Sequence, residues 1–378
     1  MRRFLGSLRR QSDPILLALC SAATAFGLVM IASATRYLET RSYVLIQLVA
    51  AAIGVGAYML FSALDVRELS GGWKWLTLAG TVLIALLFTP LGVGAGGNRA
   101  WISIPGVPVN LQPAEPIKLL FIMVLARQLA WMRQEKTIPR FRRVLLPVGH
   151  LLGLTGLYYA ASGDMGSTLV YVVIFLCMAY AAGVKGRWFA LAGALAGAGC
   201  YALWKADVIR PYMKDRFLIL LDREMDPLGV GWHQNRSLLA LGSGGLTGQG
   251  LFRGTQTQSE YSNSLPARHT DFIFSAIGEE LGMIGCVAVL LLLSAIVIRC
   301  FVAAYHAKTP LETYVCVGVA ATLMFQTAVN VGMCLFLMPV IGLTLPFVSY
   351  GGSSLVALFA AAGMVSGIHK RSLPERLR

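Results

Sequence analysis

Residues 268–282 read RHTDFIFSAIGEELG, and the apolar run MIGCVAVLLLLSAIVI follows at once. Asp271, Glu279 and Glu280 thus sit at the mouth of, or within, a helix of membrane character. Ionisable groups there cost at least ~2.5 kcal/mol each, so they are kept for structure or for chemistry. Asp271 opens the helix, where the positive end of the peptide dipoles favours an ionised carboxylate. An ionised acceptor at a poorly solvated edge is what a general base requires. The plainer reading makes Thr270 and Asp271 a helix cap. Glu279 and Glu280 lie about two turns deeper, ~12 Å along the axis. At least one must face other helices, and both read as structural support.

Other polar residues fall at similar positions. Glu115 and Lys118 are spaced i,i+3, on one face of a helix, and Asp164 sits in the turn SGDMGS. Arg99 lies in the loop before Glu115. Arg210, Arg216, Arg223, Arg236 and Arg268 lie between residues 205 and 268, cations suited to an anionic group. The same stretch contains GWHQNRSLLALGSGGLTGQGLFRGTQTQ. Its glycines admit two readings, a phosphate cradle of backbone N–H groups or a flexible, tightly turning loop. The spacing is not that of a dinucleotide fingerprint. Gln326 and Asn330, an i,i+4 amide pair, read by default as glue between helices. LPFVSYGGSS (345–354), with Ser349, is a broken turn of the kind membrane proteins place against protein or a water-filled cavity.

The elements that must position these groups follow from composition. The chain has 378 residues, of which 56% are hydrophobic and only 13% charged. Soluble domains carry about 25% charged residues. Stretches 14–35, 42–64, 75–98, 144–163, 165–184, 188–204, 281–298 and 313–369 contain no Asp, Glu, Lys or Arg. A helix crossing the hydrocarbon core needs ~20 apolar residues. The fold expected is an all-α polytopic membrane protein forming one membrane domain over residues 1–378. Its spans are placed at about 14–35, 42–64, 75–95, 114–132, 144–162, 165–184, 188–204, 271–299, 313–338 and 352–368. The runs are continuously apolar, which excludes a β-barrel. The first is longer than a signal h-region and reads as a span.

With ten spans, Arg2, Arg3, Arg9, Arg10, Arg133, Lys136, Arg140, Arg142, Arg143, Lys185, Arg187, Lys370, Arg371, Arg376 and Arg378 share one side. The positive-inside rule makes that side, with both termini, cytoplasmic. The net charge of +14 is therefore largely topological, and no nucleic-acid partner is expected. Residues 205–268, between the seventh and eighth spans, form one large extracytoplasmic loop, and loops this long are often functional. Glu115, Asp164 and Asp271 meet at one membrane depth on that outer face. The seven cysteines lie in or beside apolar runs without CxxC or Cys/His clusters and read as small hydrophobes, so no metal ligand is assigned.

At these residues the sequence resembles the SEDS family (shape, elongation, division and sporulation), which includes RodA and FtsW. NRAWISIPGVPVNLQPAEPIK (98–118), GDMGSTL (163–169), RHTDFIFSAIGEELG, QTAVNVGM (326–333) and MPVIGLTLPFVSYGGSS (338–354) carry the resemblance over essentially the whole chain. GTQTQ (254–258) looks more like RodA than FtsW, which favours an elongation-type member. The departures are Gly163 for a usual proline, Ala114 for serine, Arg236 for glutamine and Ala267 for an acid.

The resemblance implies a peptidoglycan glycosyltransferase of the bacterial cytoplasmic membrane. It would polymerise lipid II beside a class B penicillin-binding protein. It also places the family's essential aspartate on Asp271, and functionally sensitive polar positions on Glu115, Lys118, Asp164 and Arg99. Asp271 is then expected to deprotonate the acceptor hydroxyl, with inversion in a single displacement of undecaprenyl pyrophosphate. Arg99, Lys118, Arg210, Arg216, Arg223, Arg236 and Arg268 are candidates to steady the leaving group, and Ser349 joins the candidate substrate-binding residues. A divalent cation such as Mg or Mn is the one cofactor kept open. A lipid II flippase, a non-catalytic scaffold, and a division or sporulation member of the family are the alternatives.

Overall fold

The computed structural model describes residues 12–374 except 39–41, 95–97, 104, 107–109, 136–140, 208–210, 223–225, 227–228, 230 and 262–263. Helices dominate. They are α1 (Pro14–Ala34), α2 (Ser42–Ala63), α3 (Val66–Gly71), α4 (Trp73–Ala85), α5 (Ala114–Gln134), α6 (Phe141–Ser162) and α7 (Met165–Ala181). Then follow α8 (Gly186–Lys205), α9 (Pro211–Leu218), α10 (Trp232–Gly244), α11 (Ile273–His306), α12 (Pro310–Cys334) and α13 (Gly352–Ser372). Each of the ten expected spans contains a helix. Among the described residues, six helices are long and apolar enough to cross a membrane by length and composition, and 73–88 and 165–181 are shorter apolar helices.

Local chemistry sets the boundaries. Asp13 caps α1 by accepting from the Ile15 N–H, with Pro14 at the first position. Thr309 and Glu312 close a reciprocal capping box on α12. The third span ends earlier than expected, because TPLGVG leaves the helix to form strand β1 (Gly92–Val93). β1 pairs antiparallel with β2 (Trp101–Ile102), Gly92 opposite Ile102. The ninth span also stops early. Residues 335–351 contain no helix and form an irregular wall, broken by Gly342 at φ 73°.

α11 is two helices rather than one. Gly282, at φ 66° and ψ −164°, interrupts it. The glycine-rich loop docks there: Gln249 N–H donates to Glu279 O, and Gly250 N–H to Glu280 O. In return Met283 and Ile284 donate to Gly245 and Leu246. A side chain at Gly248 or Gly282 would collide with this backbone, so glycine is required at both.

The core lies where α12 and α13 meet α2, α5, α7 and α11. At the end of the bundle near Asp13, Arg299 Nε donates to Asp13 Oδ2 at 2.7 Å, and Arg67 pairs with Glu312 at 3.0 Å. Arg371 donates to the carbonyls of Ser62 and Leu64. By contrast α8 buries none of its residues. The seven cysteines are free thiols.

Candidate functional site

At the other end, a cavity of about 710 Å³ opens among α5, α7, the start of α11, α12 and the 341–354 wall, and Glu115, Asp164 and Asp271 all line it. The α4–α5 connection supplies one side through Asn98, Trp101 and Gln112. The three acids expected at one depth do share one chamber.

Their surroundings differ. Glu115 Oε1 accepts from Lys118 Nζ at 2.8 Å, and both are buried. Asp164 is the N-cap of α7. Its oxygens accept from Ser167 N–H at 3.1 Å, Ser167 Oγ at 2.7 Å and Tyr158 OH at 3.1 Å. Asp271 stands in the turn just before α11, half-buried. Among the described residues its carboxylate has no hydrogen-bond or ion-pair partner.

The Asp271 backbone, in contrast, is fixed. Its carbonyl accepts from Asn330 Nδ2 at 2.8 Å, and the same amide reaches Leu343 O at 2.8 Å. Ser349 Oγ donates to Thr270 O at 2.7 Å and accepts from Leu345 N–H at 2.9 Å. Phe272 N–H closes the turn on Ala267 O. The segment is thus a rigid post carrying one unengaged carboxylate. Burial pushes that carboxyl up to about 6, the Asp164 charge adds to the rise, and Arg216 pulls against it. Asp271 therefore remains mostly ionised at neutral pH while being a stronger base than an exposed aspartate.

The cations divide into near and far. Arg216 lines a small neighbouring cavity with Asp164 and Asn98, and donates to Val340 O at 2.7 Å. Lys118 lines a void beneath Glu115. Arg99 is exposed, its N–H on Ser162 O, and does not line the cavity. Arg236 stacks 4.2 Å over the Trp232 ring on α10. Arg268 is buried with its guanidinium on the carbonyls of Gln256, Thr257 and Ser259, against the Tyr37 ring. It braces the segment 256–259 rather than the cavity. Ser349 positions the Asp271 turn. Arg210 and Arg223 lie outside the described residues.

Glu279 and Glu280 are completely buried. Glu279 accepts from the N–H groups of Gln256 and Thr257 and from Thr257 Oγ1, at 2.6–2.7 Å. Glu280 accepts from Ser33 Oγ at 2.6 Å and Gln258 Nε2 at 2.7 Å. Their partners belong largely to the segment 256–258. The glycine-rich segment likewise packs on this part of α11 and not around the cavity.

Sequence reasoning passed over His269 and Tyr350 as cavity walls, although RHTDF and LPFVSYGG were both in view. The His269 ring packs 5.1 Å from Tyr43, and burial followed by the Arg268 charge holds its pKa below the usual range.

The fold and this chamber define a polytopic membrane protein with a polar cavity at one end of its bundle. The chain belongs to the cell cycle protein family of FtsW, RodA and SpoVE, whose family model matches residues 14–373. It is 33% identical to the peptidoglycan glycosyltransferase MrdB of Escherichia coli K12, over 79% of this chain and 78% of that protein. It is also 33% identical to a probable peptidoglycan glycosyltransferase FtsW of Geobacter sulfurreducens, over 95% of both. Among solved structures, Thermus thermophilus RodA superposes with a TM-score of 0.70 at 29% identity, covering 96% of this chain and 98% of that one. A chain from a peptidoglycan synthase complex that coordinates polymerization and crosslinking gives 0.80 at 31% identity, covering 96% and 99%.

Proposed function

We propose that the chain is a peptidoglycan glycosyltransferase that polymerises lipid II at the outer face of the bacterial cytoplasmic membrane. The observation that carries this reading is the unpartnered Asp271 carboxylate on a rigid turn inside a lined cavity. The acceptor sugar's 4-hydroxyl gives its proton to Asp271 as its oxygen attacks the donor's anomeric carbon. The bond from that carbon to the pyrophosphate breaks, and the electron pair leaves with undecaprenyl pyrophosphate. One displacement by one base inverts the anomeric centre. Asp271 then returns its proton to water in the cavity.

The leaving pyrophosphate needs positive charge rather than an acid. Arg216, between the small cavity and Val340, is the nearest described candidate, with Lys118 deeper and already paired. An Mg or Mn ion fits only in part. Glu115 and Asp164 are engaged, and among the described residues no three acids, histidines or cysteines cluster. The pyrophosphate would supply most of that ion's oxygens, and its charge would then add to that of Arg216.

The GTQTQ segment supports an elongation role, and its Gln256, Thr257 and Gln258 hold both buried glutamates. A class B penicillin-binding protein is the expected transpeptidase partner, in keeping with the synthase-complex neighbour. Transport is disfavoured because Glu115 and Lys118 are paired with each other, and Glu279 and Glu280 are occupied by Gln256, Thr257, Ser33 and Gln258. Purified chain, alone and with a class B partner, should convert lipid II to glycan strands. Movement of labelled lipid II between leaflets without strand growth would instead establish a flippase.

A further inference from the structure

One polar group at the cavity is used neither by the fold nor by the mechanism above. Gln326, on α12, is 2% exposed and lines the cavity with Asp271, Glu115 and Asp164. Its Oε1 is buried without a hydrogen-bond partner, and no described residue bonds its amide. A buried amide oxygen left unpaired costs free energy. Asn330, one turn away, also has an unpartnered buried Oδ1, but it spends its Nδ2 on two carbonyls and does not line the cavity. Gln326 lines it with no described partner for either end of its amide.

The position of Gln326 narrows what it can meet. Four residues along α12 place it ~6 Å from Asn330 on the same face, toward the interior of the bundle. It therefore stands beside and beneath the Asp271 turn, where the sugar under attack would rest. A primary amide offers one acceptor and two donors. Its natural complement is a secondary amide, whose N–H and C=O lie side by side. Lipid II carries such a group as the 2-acetamido substituent next to the anomeric carbon that Asp271's nucleophile attacks.

Resting on the glycosyltransferase reading, we propose that Gln326 is a specificity-determining residue that pairs with the 2-acetamido group of the donor sugar. The site then rejects a donor bearing a plain hydroxyl at that carbon, because the buried amide stays unpaired.

The test compares lipid II with an analogue carrying hydroxyl in place of acetamido on the pyrophosphate-linked sugar, using the purified full chain. Wild type should favour lipid II by about 10- to 100-fold in kcat/KM. Gln326→Leu should fall on lipid II to the rate shown on the analogue, so that discrimination vanishes while the pH profile stays unchanged. Gln326→Asn, which keeps a shorter amide, should recover part of the preference. Melting temperature of the Leu variant should hold or rise, since it removes an unpaired buried amide. Discrimination retained in Gln326→Leu overturns the proposal, as does a fall in melting temperature with equal losses on both substrates, the signature of helix glue. Absence of polymer from wild type on lipid II overturns the transferase reading itself, and this role with it.

Discussion

Asp271 and the pair Glu279–Glu280 stand on one short segment, and the structure puts their carboxylates to different uses. Glu279 accepts three hydrogen bonds of 2.6–2.7 Å and Glu280 is closed off by Ser33 and Gln258. Asp271 has its backbone pinned by Asn330 while its carboxylate is left free in a chamber. The same side-chain chemistry thus serves two purposes, decided by where its partners act. Bonds to the carboxylate occupy its oxygens and anchor the loop. Bonds to the backbone of Asp271 hold the side chain in place and leave its basicity intact.

The sharpest way to break this contrast is to neutralise each acid in turn. Asp271→Asn should cut polymerisation by about 10³-fold or more, as expected when the proton acceptor is lost, while lipid II binding persists. The change should also stabilise the protein at pH 8. A folded-state pKa raised from 3.8 to about 6 costs stability in full above the folded pKa, so the gain in melting temperature should shrink as pH falls from about 6 and be nearly gone at ~4. Glu279→Ala should do the reverse. Stranding the buried N–H groups of Gln256 and Thr257 should cost about 3 kcal/mol, read as a lower melting temperature with turnover per folded molecule near wild type. Full polymer yield from Asp271→Asn, or a stable and inactive Glu279→Ala, would reverse the two assignments.

The next effect is smaller and tests the pinning. Asn330→Ala removes the donor to both Asp271 O and Leu343 O. It should lower kcat by about 10- to 100-fold with little change in KM, since a displacement near 1 Å is enough for such a loss. If KM rises instead, Asn330 shapes the binding surface and does not aim the base.

Much of the fold was legible because charge-free runs of membrane length leave few alternatives. The convergence of Glu115, Asp164 and Asp271 was legible too, since ten spans place all three at one end. Less visible was anything set by backbone conformation. TPLGVG read as the end of a span but turns into β1, and Gly282 read as helix interior but breaks α11. The break explains why the glycine-rich loop is where it is: the Gln249 and Gly250 N–H groups bond to the α11 carbonyls of Glu279 and Glu280. Arg268 looked like a phosphate ligand by charge alone. Its burial against three carbonyls depends on the path of residues 256–259, which no periodicity encodes.

The mildest perturbation is pH, and it separates the two classes of acid without touching the sequence. Below about 6 Asp271 is protonated and cannot accept the hydroxyl proton, so kcat/KM should fall about tenfold for each unit of acidification and level off above. The midpoint reports its surroundings. Burial and the Asp164 charge raise it, whereas Arg216 lowers it. Asp164→Asn should therefore move the midpoint down, toward the ordinary carboxylate range, and Arg216→Gln should move it up. Glu279→Gln, distant and engaged with the loop, should leave it where it is. A midpoint indifferent to Asp164 and Arg216 but responsive to Glu279 would mean that the titrating base is one of the buried glutamates, and that the free carboxylate in the cavity is not the reactive one.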